Sequence, residues 1–226
     1  MGLRRLRQLT PSAVYRFRRR IKRLRVYLSL YTFPAEPPTH PSLDTLFRRA
    51  GKLRQAYLNL EWIQAHAPHW RKAAKKEVKR RRRRLKRVYK AERQTIRDLL
   101  RTWKERFPFP WRSEEGLLFW AQQVSRWVQA QKQNALSFPA PPFDPTQLHE
   151  LRTILRRWEL AGTWAPLPET PPANLTSLLG KVRDLYLLHK WLTRTGAEEE
   201  LLQRVEQLQK DTEAQALALW NDWRFG

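Results

Sequence analysis

The chain has 226 residues and carries 45 Lys and Arg against 21 Asp and Glu, a formal net charge of +24. It has no cysteine, which excludes disulfides, the usual zinc fingers and thiol catalysis. Few Gly residues and a heavy load of Leu, Arg, Lys, Gln, Glu and Ala favour helix over strand, so we expect an all-α fold.

Proline clusters divide the chain into seven predicted helices, because proline lacks an N–H donor and disfavours helix in the residue before it. The clusters lie at 33–41, 107–111, 138–145 and 166–172. The helical patterns between them cover residues 11–32, 42–67, 69–106, 113–136, 145–162, 173–195 and 197–223.

The first predicted helix has a basic stripe beside its apolar stripe. Phe17 and Ile21 lie on the core side, and Arg18 and Lys22, each one residue further on and about 100° round the helix, flank them. Such side chains can simply cover a core with their stems. Arginine also presents a planar, permanently charged fork that suits phosphate oxygens. Both interpretations are open for this helix.

The third predicted helix contains five consecutive arginines. Residues 69–107 contain neither Pro nor Gly, so this segment can form one helix of roughly 57 Å at 1.5 Å per residue. Its core stripe runs through Val78 and Leu85, and Arg81 or Arg82 must therefore face inward. We expect the outward arginines to attract polyanions over a distance, in a salt-dependent way.

The positive charge is confined to the first half of the chain. Residues 1–110 contain 32 Lys and Arg and 7 Asp and Glu, whereas residues 111–226 contain 13 and 14. This excess predicts a polyanionic partner, which composition leaves open as a nucleic acid, an acidic membrane or a phosphate polymer.

The chain lacks the usual sequence signals of membrane insertion, secretion and metal binding. No apolar stretch approaches the roughly 20 residues that span a bilayer, and the first residues carry charge without the apolar run of a signal peptide. We therefore expect no membrane span and a cytoplasmic location. The five His are too scattered to indicate a metal site, and no cofactor is expected.

Two segments of the first half recur in the second half. Segment 15–25 aligns with 149–159, and segment 51–63 aligns with 180–192, where six of thirteen residues are identical. The matched basic pairs are Arg18 with Arg152, Lys22 with Arg156, Arg23 with Arg157, Lys52 with Lys181, and Arg54 with Arg183. We interpret this as a duplicated helical unit whose copies begin near residues 11 and 145.

These segments resemble the CHAD domain family. Each half of that domain opens with a helix of the type His-x-Leu-Arg-x-x-x-[Arg/Lys]-Arg, and the next helix carries Leu-Gly with an Asp four residues after the Gly. "HELRTILRRW" at 149–158 and "LLGKVRDLYLLHKWL" at 178–192 are close to this pattern. "YRFRRRIKRL" and "AGKLRQAYLNLEW" form a more divergent copy, with Tyr15 in place of the histidine and Gln55 in place of the aspartate.

The resemblance spans nearly the whole chain. It implies a single domain over 1–226, with a basic helical bundle at 11–137 and a second bundle at 145–226, related by a pseudo-twofold axis. It also implies non-catalytic binding of inorganic polyphosphate. Association with polyphosphate granules is left open by the sequence.

The predicted site is a basic cleft or pore between the two bundles. Its candidate residues are Arg18, Lys22, Arg23, Lys52, Arg54, Arg81, Arg82, His149, Arg152, Arg156, Arg157, Lys181 and Arg183. For His149 the alternative is a neutral histidine that ties helices together by a hydrogen bond.

Two other functions are weighed against polyphosphate binding. A nucleic-acid-binding helical protein is the alternative, on the strength of the arginine run. An enzyme of phosphoryl transfer is disfavoured, because the basic stripes carry neither a GxxxxGK[ST] loop nor clustered carboxylates.

Overall fold

A computed structural model describes residues 6–109, 113–139, 143–167 and 169–225 of the chain. The regular secondary structure of these residues is helical, without strands, which confirms the all-α prediction. Seven α-helices lie in these ranges: α1 Pro11–Thr32, α2 Pro41–His66, α3 Arg71–Arg106, α4 Glu114–Leu136, α5 Pro145–Ala161, α6 Ala173–Thr195 and α7 Glu199–Phe225. The proline clusters lie at helix junctions, and parts of those at 107–111, 138–145 and 166–172 lie outside the described residues.

The third helix begins slightly later than its sequence pattern predicts. A 3₁₀ turn, Pro68–Trp70, precedes it, and α3 then continues to Arg106 over 36 residues. Proline at the start of the 3₁₀ turn limits the backbone there, which places the first α-helical residue at Arg71.

The chain divides into two compact units, Met1–Trp120 and Ala121–Gly226, and the division falls within α4. In the first unit, α2 lies along α3 over a long stretch, and α1 packs on α2. The core side chains of these three helices include Val14, Phe17, Ile21, Leu43, Leu46, Leu53, Ile63, Ala74, Leu85 and Ile96. The predicted apolar stripe of α1 is therefore buried, with the basic stripe beside it.

An aromatic cluster forms around Tyr27 in the first unit. The ring centre of Tyr27 lies 5.3 Å from that of Phe109 and 5.4 Å from that of Trp120. The hydroxyl of Tyr27 donates a hydrogen bond of 2.9 Å to the carbonyl O of Pro108. Burial, with a smaller effect of Tyr31, raises the pKa of Tyr27 to about 12. The cluster thus joins α1 to the segment after α3 and to the first turns of α4.

The second unit pairs its helices in the same order as the first. Here α6 lies along α7, and α5 packs on α6. The core includes Leu148, Leu151, Leu155, Trp158, Leu175, Leu179, Leu185, Leu188, Val205, Ala216 and Trp220. Duplication of the unit stays a prediction, and the common order of pairing is consistent with it.

The helix ends of the second unit follow from local sequence. Asp144 caps α5: its Oδ1 accepts hydrogen bonds from the backbone N–H of Thr146 and Gln147, and the side chain of Gln147 accepts one from the N–H of Asp144. The next helix, α6, ends at Thr195 and is followed by Gly196, whose φ of +74° suits a residue without a Cβ. No helix in the described residues is long and apolar enough to cross a membrane.

Candidate functional site

The guanidinium of Arg18 lies directly on α2, against Gly51. A Cβ atom at Gly51 would stand 2.5 Å from Nη1 of Arg18, so glycine leaves the space that the guanidinium occupies. The same Nη1 donates a hydrogen bond of 2.9 Å to the carbonyl O of Phe47, and the guanidinium carbon lies 4.2 Å from the centre of the Phe47 ring. Arg18 is therefore held in place by its hydrogen bond to the Phe47 carbonyl, by the Phe47 ring and by contact with the helix backbone at Gly51.

The second unit contains the equivalent contact. Arg152 of α5 lies against Gly180 of α6, where a Cβ atom would stand 3.2 Å from Nε and 3.3 Å from Nη2 of the arginine. The sequence alignment pairs Arg18 with Arg152 and Gly51 with Gly180. Both units thus use a glycine of the second helix to seat an arginine of the first.

A second pair of aligned positions also lies at matching places. In the first unit, the guanidinium carbon of Arg54 lies 5.1 Å from the centre of the exposed Tyr15 ring. In the second unit, the aligned residues His149 and Arg183 line one small pocket between α5, α6 and α7. Tyr15 and His149, which occupy aligned positions, therefore each lie near the arginine of the next helix, one with a phenol ring and the other with an imidazole.

The small pocket of the second unit is lined by both apolar and polar residues. Its lining residues are Pro145, Leu148, His149, Leu179, Val182, Arg183, Tyr186 and Gln209. The guanidinium carbon of Arg183 lies 5.4 Å from the centre of the Tyr186 ring, and His149 is an exposed side chain. Arg183 is thus supported from beneath by an aromatic face, as Arg54 is in the first unit.

The α2–α3 face of the first unit concentrates positive charge around Lys52. Partial desolvation lowers the pKa of Lys52, and the charges of Arg81, Arg49, Arg48 and Arg84 lower it further. Like charges therefore lie close enough to Lys52 to disfavour its protonated form. An anion placed here would relieve that repulsion.

The structure shows which arginine of the run faces inward. The side chain of Arg81 is 16% exposed, and its Nε lies 2.6 Å from Oε1 of Glu77, which also pairs with Arg80. Arg82 is exposed. Glu77, four residues earlier on the same helix face, supplies a carboxylate partner for this partly buried guanidinium.

The remaining candidates are divided between the two units. Lys22 and Arg23 are half-buried on α1, whereas Arg157 and Lys181 are exposed. Arg156 forms an ion pair with Oε1 of Glu159, whose Oε2 accepts a hydrogen bond of 3.1 Å from Thr176. Arg156 thus has a carboxylate partner within its own unit. The predicted cleft shared by both bundles stays a prediction.

Sequence reasoning missed Phe47, and it placed Arg25 on the flank of the basic stripe of α1 without counting it among the candidate site residues. The ring of Phe47 lies beneath two guanidinium groups, 4.2 Å from that of Arg18 and 4.4 Å from that of Arg25. Arg25 is also ion-paired with Asp44. The available signal was spacing: Asp44, Phe47 and Gly51 recur at intervals of three and four, which places them on one face of α2.

The carboxylates of the first half cannot neutralise its cations. Residues 1–110 contain 32 Lys and Arg but only 7 Asp and Glu, so one-to-one pairing would still leave an excess of 25 positive charges.

In the part of the chain that the structure describes, no group of three or more His, Asp or Glu lies close enough to hold a metal ion.

Comparison with family models, with curated proteins and with solved structures finds no significant match to this chain. The resemblance to the CHAD domain therefore rests on the quoted motifs, and the function is argued from the site.

Proposed function

We propose that the chain binds inorganic polyphosphate without catalysing its turnover, through the α1–α2 face of the first unit and the α5–α6 face of the second. The observation that carries the proposal is the seat of Arg18 on Gly51 and its counterpart, Arg152 on Gly180. A guanidinium that is already held in place loses little side-chain freedom on binding, which favours tight association.

The chemistry of these faces suits a phosphate chain. Guanidinium groups form charge-assisted, often bidentate hydrogen bonds with phosphate oxygens. Arg54 and Arg183, each held beside an aromatic or imidazole side chain, add a second fixed donor in each unit. Polyphosphate has no base or sugar to recognise, and a site built mainly from cationic side chains needs only phosphate oxygens as partners.

The positive field of the first half supports capture of a long polyanion. An excess of 25 charges attracts any polyanion over a Debye length, and Lys52, at the centre of the basic cluster, lies on the same helix, α2, as Arg54. A flexible phosphate chain can contact several such groups in succession, each contributing to the total affinity.

Calorimetric titration with medium-chain polyphosphate tests the proposal. We expect binding at physiological salt, and a loss of at least about tenfold in affinity for Arg18→Ala and for Arg152→Ala, because a hydrogen bond to a charged group contributes roughly 1.5–3 kcal/mol. Arg19→Ala is the matched control: it removes the same charge from the same helix at an exposed position. Absence of binding, or an equal loss for Arg19→Ala, would contradict the proposal.

Nucleic-acid binding is the second candidate, favoured by one observation. The consecutive arginines Arg82, Arg83 and Arg84 are exposed on α3, where they can follow a nucleic-acid backbone. Competition at equal phosphate concentration distinguishes the two functions. If duplex DNA or RNA displaces polyphosphate, and Arg83→Ala weakens binding more than Arg18→Ala, the nucleic-acid function replaces the polyphosphate one.

A further inference from the structure

The first turns of α4 expose large apolar side chains in direct succession. Leu117, Leu118 and Phe119 are 47%, 67% and 55% exposed, and Phe109 is 43% exposed. Within the described residues these four make up all but one of the exposed large hydrophobic side chains, the other being Tyr15. Exposed apolar residues scattered singly are ordinary, but four within eleven positions form a patch.

Phe109 and the start of α4 are connected through the ring of Tyr27. Phe109 and Trp120 both contact the ring of Tyr27, at 5.3 Å and 5.4 Å between ring centres. Trp120 is buried, and the three residues before it on α4 are exposed. The aromatic cluster therefore anchors a patch, the α4 tip, which consists of Phe109, Leu117, Leu118 and Phe119.

The arrangement on the helix indicates the kind of partner. A helix that binds a protein groove presents a single stripe at intervals of three and four residues. Leu117, Leu118 and Phe119 are consecutive, so at about 100° per residue they point to three sides of α4. The apolar part of a lipid bilayer can surround a helix end that exposes apolar side chains on several sides. A groove on a partner protein would cover only one of these sides.

The charge of the surroundings indicates an anionic medium. Lys104 and Arg106 are exposed in the last turn of α3, a few residues before Phe109. Residues 1–110 carry the excess of 25 positive charges, which also disfavours a second copy of the chain as the occupant. Glu105, which lies exposed between the two basic residues in the last turn of α3, and Glu114 and Glu115 oppose an anionic surface, but these three carboxylates are few against the excess of 25 positive charges.

We propose that the α4 tip inserts into the surface of membranes that contain anionic phospholipids, so that the protein binds them peripherally. The apolar side chains enter the boundary between headgroups and acyl chains, and the basic residues at the end of α3 contact lipid phosphates. This site is separate from the arginine–glycine seats proposed for polyphosphate.

Cosedimentation of the full chain with vesicles tests the proposal. We expect binding to phosphatidylcholine vesicles that contain about 30% phosphatidylglycerol and little binding to pure phosphatidylcholine. Leu118→Asp/Phe119→Asp should reduce binding by at least about tenfold. The matched control, Gln129→Asp/Gln133→Asp, adds the same charge at exposed positions further along α4 and should change binding little.

Charge variants give effects of opposite sign. Lys104→Glu/Arg106→Glu should weaken binding to the anionic vesicles, and Glu114→Gln/Glu115→Gln should strengthen it. All variants should keep the helical circular dichroism signal. Leu118→Asp/Phe119→Asp and Gln129→Asp/Gln133→Asp carry the same charge and should bind polyphosphate equally, so failure here is distinguishable from failure of the proposed function. Equal binding by Leu118→Asp/Phe119→Asp and the wild type would overturn the proposal. The proposal would also be overturned if the wild type did not bind vesicles and instead formed dimers through the α4 tip.

Discussion

The substitution Gly51→Ala adds one methyl group and tests whether the position of Arg18 matters for ligand binding independently of protein stability. In Gly51→Ala the new Cβ would stand 2.5 Å from Nη1 of Arg18, so the flexible guanidinium must move away. Alanine favours the helix interior by roughly 0.5–1 kcal/mol, which offsets much of the lost Phe47 hydrogen bond of about 1 kcal/mol.

We therefore expect Gly51→Ala to keep the unfolding temperature near that of the wild type while polyphosphate affinity falls by about tenfold. Thermal unfolding and calorimetry measure the two effects on one sample. Gly180→Ala should show a smaller loss, because its Cβ would stand 3.2 Å from Arg152 and needs only a small adjustment. Unchanged affinity in Gly51→Ala would show that the position of Arg18 does not matter for binding.

The protonation of Lys52 should make the affinity for polyphosphate depend on pH. Its pKa is lowered in the free protein by desolvation and by neighbouring arginines, and a bound phosphate would raise it again. Between the lowered value and the ordinary value of about 10.5, binding must therefore take up a proton, and affinity should fall as the pH rises through this window.

Calorimetry in two buffers of different ionisation enthalpy measures this proton uptake. We expect none near neutral pH and a fraction of a proton per site in alkaline buffer. Lys52→Arg stays charged, so its affinity should be flatter with pH. If the wild type and Lys52→Arg take up the same number of protons, Lys52 does not contact the ligand.

At the scale of the helices, the Tyr27 cluster should make stability sensitive to alkali. The folded pKa of about 12 lies above the ordinary value of 10.0. The stabilisation is therefore complete below pH 10 and is lost as the pH rises towards 12, because the unfolded chain releases the proton first.

We expect the free energy of unfolding to fall by about 1–2 kcal/mol more in the wild type than in Tyr27→Phe over this pH range. Urea unfolding at the two ends of the range measures the difference, and subtracting the variant removes the contribution of the lysines. Parallel pH profiles for the two proteins would mean that Tyr27 ionises as easily in the folded state as in the unfolded chain.

The sequence was sufficient to predict the helices, because proline clusters and apolar periodicity are local signals. Each predicted helix is present. The 3₁₀ turn before Arg71 was missed because Pro68 marks a helix boundary without distinguishing a 3₁₀ turn from the first turn of an α-helix. The contacts of the site could be predicted only in part. Arg81 and Arg82 have the same chemistry, and the ion pair with Glu77 decides between them. The role of Phe47 depends on which side chains of α1 lie above it, which no pattern within α2 reveals.

At the scale of the whole chain, the charge imbalance predicts a steep dependence of polyphosphate affinity on salt. Displacement of counterions makes the logarithm of affinity fall linearly with the logarithm of salt concentration. We expect Arg83→Ala/Arg87→Ala, which removes two exposed charges of α3, to lower the association rate and the salt slope.

Stopped-flow and equilibrium titrations over a range of salt separate these effects. Arg18→Ala should act mainly on the dissociation rate, because its guanidinium contacts the bound ligand directly. If the α3 variant instead accelerates dissociation as strongly as Arg18→Ala, the arginine run is part of the binding site itself.

The most direct test of the central claim is a crystal structure of the full chain with medium-chain polyphosphate. We expect phosphate oxygens within about 3 Å of guanidinium nitrogens of both Arg18 and Arg152, with each arginine still seated on its glycine. A polyphosphate chain bound along the exposed arginines of α3, with Arg18 and Arg152 in contact with no phosphate, would contradict the account.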